Sequence, residues 1–126
     1  MKPRPLVVVV GKFRDLTPSG ILHNIEIAKT AAVELWAEGF WVFCPHANMG
    51  MSELWELEDH QPFMDMVLHL IDQVADVLYA LPNWATSPGS QAEVEFARGI
   101  DVPVFINMES ICAWRDKIWR PSQFQS

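Results

Sequence analysis

Leu6-Val7-Val8-Val9-Val10-Gly11-Lys12-Phe13-Arg14-Asp15 is the stretch on which the reading of the fold turns. A leucine and four consecutive valines offer no polar position to solvent. The strand is therefore expected to be covered on both faces, as in a parallel sheet flanked by helices. Gly11 ends the run, and Lys12 to Gly20 reads as a loop. From Ile21 to Glu38, apolar residues recur at helical spacing through Ile25, Ala28, Ala32, Leu35 and Trp36. Ser19 or Asn24 is the expected cap of that helix, and Gly39 its stop. Phe40 to Cys44 is a second short strand, closed by Pro45. Strand, helix and strand within about 40 residues make a βαβ unit.

The alternation continues outward from this unit. Pro45 to Pro62 is too polar for core and reads as a loop with a short helix over one end of the sheet. Phe63 to Val74 is helical, with Phe63, Met66, Val67, Leu70, Ile71 and Val74 on one side. Asp76 to Leu81 is a third strand, Gln91 to Arg98 a helix, and Val102 to Ile106 a fourth strand. Glu109 to Trp119 forms a last helix, and the tail after Pro121 is expected to fray or to serve in assembly. The whole chain, residues 1–126, reads as one α/β domain: a doubly wound, mostly parallel sheet of four or five strands with helices on both faces. Ligands of such sheets bind beyond the carboxyl ends of the strands, at a topological switch point. The stretches GKFRD, CPHANMG and LPNWATSPGSQAE, which follow the first three strands, converge there.

Composition narrows the function classes. Half of the residues are apolar and 20% are charged, which excludes a disordered chain. Sixteen acidic residues against nine basic ones exclude a general nucleic-acid surface, but not a small anion held by local N–H donors and one arginine. Cys44 and Cys112 have neither CxxC nor zinc-finger spacing, so free, mostly buried thiols in a reducing compartment are expected. The start, MKPRPLVVVVG, lacks a full apolar signal-peptide core, and no apolar stretch has the length of a membrane span. A cytoplasmic protein without membrane contact is the expectation. No HExxH motif and no close His/Asp/Cys cluster occurs, so neither a metal nor a cofactor is expected.

The strongest local signal is Ser87-Pro88-Gly89-Ser90-Gln91-Ala92-Glu93. Two hydroxyls and a glycine at a helix start suit an anion cradle, with exposed N–H groups at the positive end of the dipole. The same letters suit a capping box, in which Ser90 caps the helix and Glu93 closes on it. Glu93 also suits a second role, as nucleophile or general base at a sugar carbon, with Asp59, Asp65 and Asp76 as candidate partners. In the loop after the first strand, Gly11 suits close approach of a ligand and Arg14 a bidentate contact to phosphate. His46 is a candidate ligand-edge group, whereas His23, His60 and His69 read as surface or satisfied histidines. Trp55 and Trp84 fall in ligand-side loops where an indole can stack on a planar base. Trp36, Trp41, Trp114 and Trp119 suit the core or an interface.

Taken in order, VVVGKFRD, Asn24 with Ala28, FCPHAN, LPNW, the series Ser87-x-Gly89-x-x-x-Glu93-x-x-x-Ala97, and VPVF resemble the nucleoside 2-deoxyribosyltransferase-like superfamily. The likeness spans about residues 6–106 and is nearest to small bacterial and phage members. The resemblance implies a flavodoxin-like fold and a homodimer or larger homo-oligomer in which a neighbour helps to complete the site. It also implies cleavage of the N-glycosidic bond of a nucleoside or a nucleoside 5'-monophosphate. Glu93 would then be the nucleophile that forms a glycosyl-enzyme intermediate. Ser87 and Gly89, with Ser90 beside them, would hold the 5'-phosphate. Gly11, Phe13 and Arg14 would line sugar and base, and one of Asp59, Asp65 and Asp76 would assist the leaving base.

Two departures set the expected reaction. Many relatives carry Ala-Gly-Pro where this chain has Val10, Gly11 and Lys12. The only tyrosine, Tyr79, lies inside the third strand rather than near the first. Hydrolysis is therefore expected ahead of transfer to a second base. The alternatives are a deoxyribosyltransferase and a module that binds a nucleotide, or assembles, without cleaving anything.

Overall fold

The valine run is strand β1 (Leu6–Val10), and both of its faces are covered. In the computed structural model, which describes residues 2–49 and 60–124, β1 is followed by helix α1 (Pro18–Ala37) and strand β2 (Trp41–Phe43). Helix α2 (Pro45–Met49), helix α3 (Gln61–Val74) and strand β3 (Val77–Ala80) come next. A single 3-10 turn (Trp84–Thr86) leads into helix α4 (Pro88–Gly99), strand β4 (Val104–Phe105) and helix α5 (Met108–Trp114). The described strands form one four-stranded, all-parallel sheet in the order β2-β1-β3-β4. The fold is therefore flavodoxin-like and doubly wound.

Alternation along β1 divides the core. Val7 and Val9, with Val77 of β3, pack against Ala28 and Leu35 of α1 and Ile111 of α5. Val8 and Val10, with Leu78 and Ala80, pack against Val67 and Ile71 of α3 and Val94 and Ala97 of α4. Helices thus lie on both faces, and a one-residue slip of β1 would exchange the two sets. No described helix is long and apolar enough to cross a membrane.

Several boundaries differ from the sequence reading. Helix α1 starts at Pro18, and its cap is Thr17 rather than Ser19 or Asn24, because the Thr17 hydroxyl accepts from the Gly20 N–H at 3.0 Å. The Asp15 carboxylate in turn accepts from the Thr17 N–H and hydroxyl. Asn24 is buried and donates to the Phe13 carbonyl at 3.1 Å, so it fixes the loop after β1 instead of capping a helix. Helix α4 starts at Pro88, three residues before the expected Gln91, because Ser87 supplies the cap and proline suits the first turn. Strand β4 shrinks to two residues at the sheet's edge.

The C-terminal helix does not end at Trp119. After α5, a π-helical turn (Arg115–Trp119) widens the chain and a short helix, α6 (Arg120–Gln123), takes Pro121 into its first turn. Proline has no N–H for the ladder, so the helix restarts there rather than fraying. Both cysteines are half-buried free thiols. Trp119 is buried and Trp114 packs on Phe105, but Trp36 is exposed beneath Arg4, so it is not a core residue.

Candidate active site

Because β1 lies between β2 and β3, the chain leaves β1 in one direction and returns on its other side. That reversal places a crevice at the carboxyl ends of β1 and β3. A cavity of about 560 Å³ opens there, between the N-terminal halves of α3 and α4. The loop from Gly11 to Arg14 forms one wall, Pro45 and His46 of α2 another, and Thr86 to Glu93 a third. Phe63, Met64, Val67 and Leu68 of α3 supply an apolar side.

Gly11 turns the chain out of β1 and borders the cavity. A Cβ on Gly11 would collide with the Leu81 side chain, so the absent side chain also makes room for the residue that follows β3. The loop beyond is then pinned from two sides. The Lys12 N–H donates to Asn83 Oδ1 at 3.0 Å, and the Lys12 carbonyl accepts from His46 Nε2 at 3.1 Å. Asn83, from the LPNW stretch, is thus a positioning residue that the sequence reading passed over.

On α4, Ser87 is the cap: its Oγ accepts from the Ser90 N–H at 3.3 Å and from the Ser90 hydroxyl at 3.1 Å. Ser90 therefore lies inside the first turn, and the proposed box of Ser90 with Glu93 does not form. Glu93 sits a turn further along, on the side facing α3, and is only 8% exposed. It makes no hydrogen bond or ion pair with any described residue, and burial alone pushes its carboxyl up to about 7. A carboxyl with that value is divided between its two protonation states at neutral pH, which suits acid–base work, while its ionised share is the form that can attack as a nucleophile.

Two histidines complete the wall. His46 is buried, and burial pushes its imidazole below the usual histidine range, so the ring is neutral at pH 7. Phe13 meets it edge-on, with ring centroids 6.1 Å apart. His60, read from the sequence as a surface or satisfied histidine, lines the cavity, where its Nδ1 lies 2.9 Å from Arg14 Nη2. A guanidinium can only donate, so His60 Nδ1 accepts and its proton resides on Nε2. No pattern near His60 announced this, because its partner is 46 positions away.

Of the candidate residues, the fold brings Gly11, Phe13, Arg14, His46, Ser87, Gly89, Ser90 and Glu93 together on this cavity. Three others lie elsewhere. Asp76 stands at the opposite, N-terminal end of β3, where its carboxylate accepts from Lys2 Nζ at 2.6 Å and from the Leu6 N–H at 2.8 Å. Asp65 is exposed on α3, away from the cavity wall, and accepts from Gln61 at 2.8 Å. Trp84 packs on the core beside Val94, with Arg98 over its ring at 5.9 Å, and does not border the cavity. Asp59 and Trp55 fall outside the described residues. Among the described residues lining the cavity, Glu93 is the only carboxylate. No described group of three His, Cys, Asp or Glu side chains is gathered to hold a metal ion.

Residues 19–106 match the family model of the domain of unknown function DUF4406, and the chain belongs to that family. No curated protein and no solved structure matches it.

Proposed function

We propose that this DUF4406 domain cleaves the N-glycosidic bond of a nucleoside 5'-monophosphate or nucleoside, with the Glu93 carboxylate as nucleophile. The observation that carries the reading is Glu93 itself, a nearly buried carboxyl with no described partner, facing a cavity of nucleotide size. A carboxylate left unpaired in an apolar wall costs stability, and a site that reacts at that carboxylate gives the cost a function. The likeness to the nucleoside 2-deoxyribosyltransferase-like superfamily supplies the substrate class.

In the proposed reaction, a Glu93 oxygen attacks the anomeric carbon, the C–N bond breaks, and its electron pair leaves with the base. Water then hydrolyses the glycosyl ester, releasing the sugar and restoring the carboxylate. The N-terminus of α4, with Ser87 and Gly89, offers N–H groups and hydroxyls to a 5'-phosphate. Arg14 stands at the mouth as a second anion contact. The apolar side of α3 suits the flat faces of a base.

The test incubates the protein with ribo- and deoxyribonucleoside monophosphates and the matching nucleosides, and separates free base by chromatography. Glu93→Ala should lower release at least about 10³-fold, as loss of a nucleophile does. The rate should rise with pH through about 7, because only ionised Glu93 attacks. A rate that falls through the same interval would make Glu93 a general acid instead. A second free base that speeds turnover and yields a new nucleoside would convert hydrolysis into transfer. Binding of a nucleotide without release of base would leave a non-catalytic binding module.

A further inference from the structure

We propose that Nδ1 of His46 accepts a hydrogen bond from the bound base and selects bases that present an N–H at the edge remote from the sugar. The inference rests on reading the cavity as a nucleotide site. His46 is 4% exposed and lies in the first turn of α2, on the cavity wall. Its Nε2 faces the Lys12 carbonyl, which can only accept, so Nε2 carries the ring proton. In the neutral ring Nδ1 is then a bare lone pair. It is buried and has no hydrogen-bond partner among the described residues. A buried acceptor without a donor costs stability, and such an orphan in a native structure calls for a role.

Position in the sheet tells which part of a nucleotide would reach it. Helix α2 follows β2, whereas Ser87 and Glu93 follow β3, and β1 lies between. Two strand spacings, about 10 Å, thus separate the two sides of the crevice. A nucleotide with its phosphate at the start of α4 and its sugar at Glu93 directs the far edge of its base toward His46. Of the other polar groups near that end, the Lys12 carbonyl is engaged by His46 and Arg14 by His60. His60 Nε2, also without a described partner, carries a proton and so offers a donor rather than a second acceptor. A base with no N–H there leaves Nδ1 unpaired and binds more weakly, by the rule that polar sites reject analogues lacking the complementary group.

Calorimetric titration needs no turnover and tests this directly. The ligand pairs are adenosine and purine riboside 5'-monophosphates, which differ by the exocyclic amine, and uridine and N3-methyluridine 5'-monophosphates. The wild-type protein should favour the N–H member of a pair it binds by about 10-fold or more, equivalent to 1.4 kcal/mol. His46→Gln keeps a donor for the Lys12 carbonyl but carries its acceptor oxygen away from the Nδ1 position, and should erase the preference. His46→Asn keeps an acceptor at the Nδ1 position, and should retain it. If either variant fails to fold, the 15N resonance of Nδ1 in the wild-type protein decides: it should move upfield with the N–H ligand and stay in place with its partner. Equal wild-type affinities within every pair, or a preference that survives in His46→Gln, would overturn the assignment while leaving the nucleotide reading intact. Absence of binding by all four nucleotides would end both.

Discussion

The two ends of the sheet treat their polar groups in opposite ways. At the N-terminal end, Asp76 is half-buried and engaged, one carboxylate oxygen holding both Lys2 and the Leu6 N–H that begins β1. Nearby on the α1 side, the buried Arg115 guanidinium is likewise spent, on Asp116 and on the Glu38 carbonyl. At the C-terminal end, Glu93 has no described partner and His46 keeps a bare Nδ1. Glu93 and His46 lie deeper than Asp76, so burial by itself does not bring a polar group its partner. What differs is whether the fold supplies the complementary group. Where it does, the polar residue ties chain segments together. Where it does not, the residue is available to something that enters the cavity.

The largest expected effect follows from Glu93. Its folded-state value, about 7, lies above the ordinary 4.5 that the unfolded chain retains. The protonated carboxyl is therefore favoured by folding, and this contribution is full below pH 4.5 and is lost as pH rises through about 7. Glu93→Gln removes the ionisation while keeping the shape. The variant should gain on wild type as pH rises from 4.5, reaching about 3 kcal/mol above pH 7. Urea melts across that interval measure the difference, in which the titration of His46 cancels. A constant difference would mean that Glu93 has a partner in solution, and the contrast between the two ends would collapse.

Asp76→Ala attacks the other end. It frees the Leu6 N–H and the Lys2 ammonium, of which the exposed lysine contributes little. Loss of the charged acceptor for a backbone donor should cost about 2 kcal/mol by denaturant melting. Release of base per folded molecule should not change. If cleavage disappears while the fold persists, Asp76 acts on the reaction, and its distance from the cavity would have to be bridged by a second subunit.

The architecture was largely legible in the sequence because it rests on local signals. An unbroken valine strand, helical periodicity and glycine or proline stops fix element order, and parallel strands fix where the crevice opens. The cluster from Ser87 to Glu93 was equally local, so its position at a helix start could be read directly. Its details could not: whether Ser87 or Ser90 caps depends on the turn before Pro88, and both serines fit the letters. Asp76 and Asp65 illustrate the limit for partners. Asp76 opens the third strand, so strand direction already set it at the end away from the crevice; what the letters could not show was its partner, the Leu6 N–H 70 positions away. His60 and Asn83 failed for the same reason, since the contacts that bring them to the site join residues far apart in sequence.

Ser87→Ala carries the smallest effect and bears on the boundary between the two kinds of polar group. Ser87 is engaged like Asp76, its Oγ accepting twice from Ser90, yet it lies on the cavity with Glu93. Removal of its Oγ deprives the Ser90 N–H of its cap and should lower stability by about 1 kcal/mol. If Ser87 also faces a 5'-phosphate, the same change should raise KM for nucleoside monophosphates and leave KM for unphosphorylated nucleosides unaltered. Equal changes for both substrates would trace to a loosened first turn of α4, because a displaced helix start moves Glu93 for every ligand alike. A phosphate-selective change cannot arise that way. Ser87 would then be a residue whose fold-internal bonds and ligand bonds share one oxygen, which is how the engaged and the available kinds of polar group come to meet in a single turn.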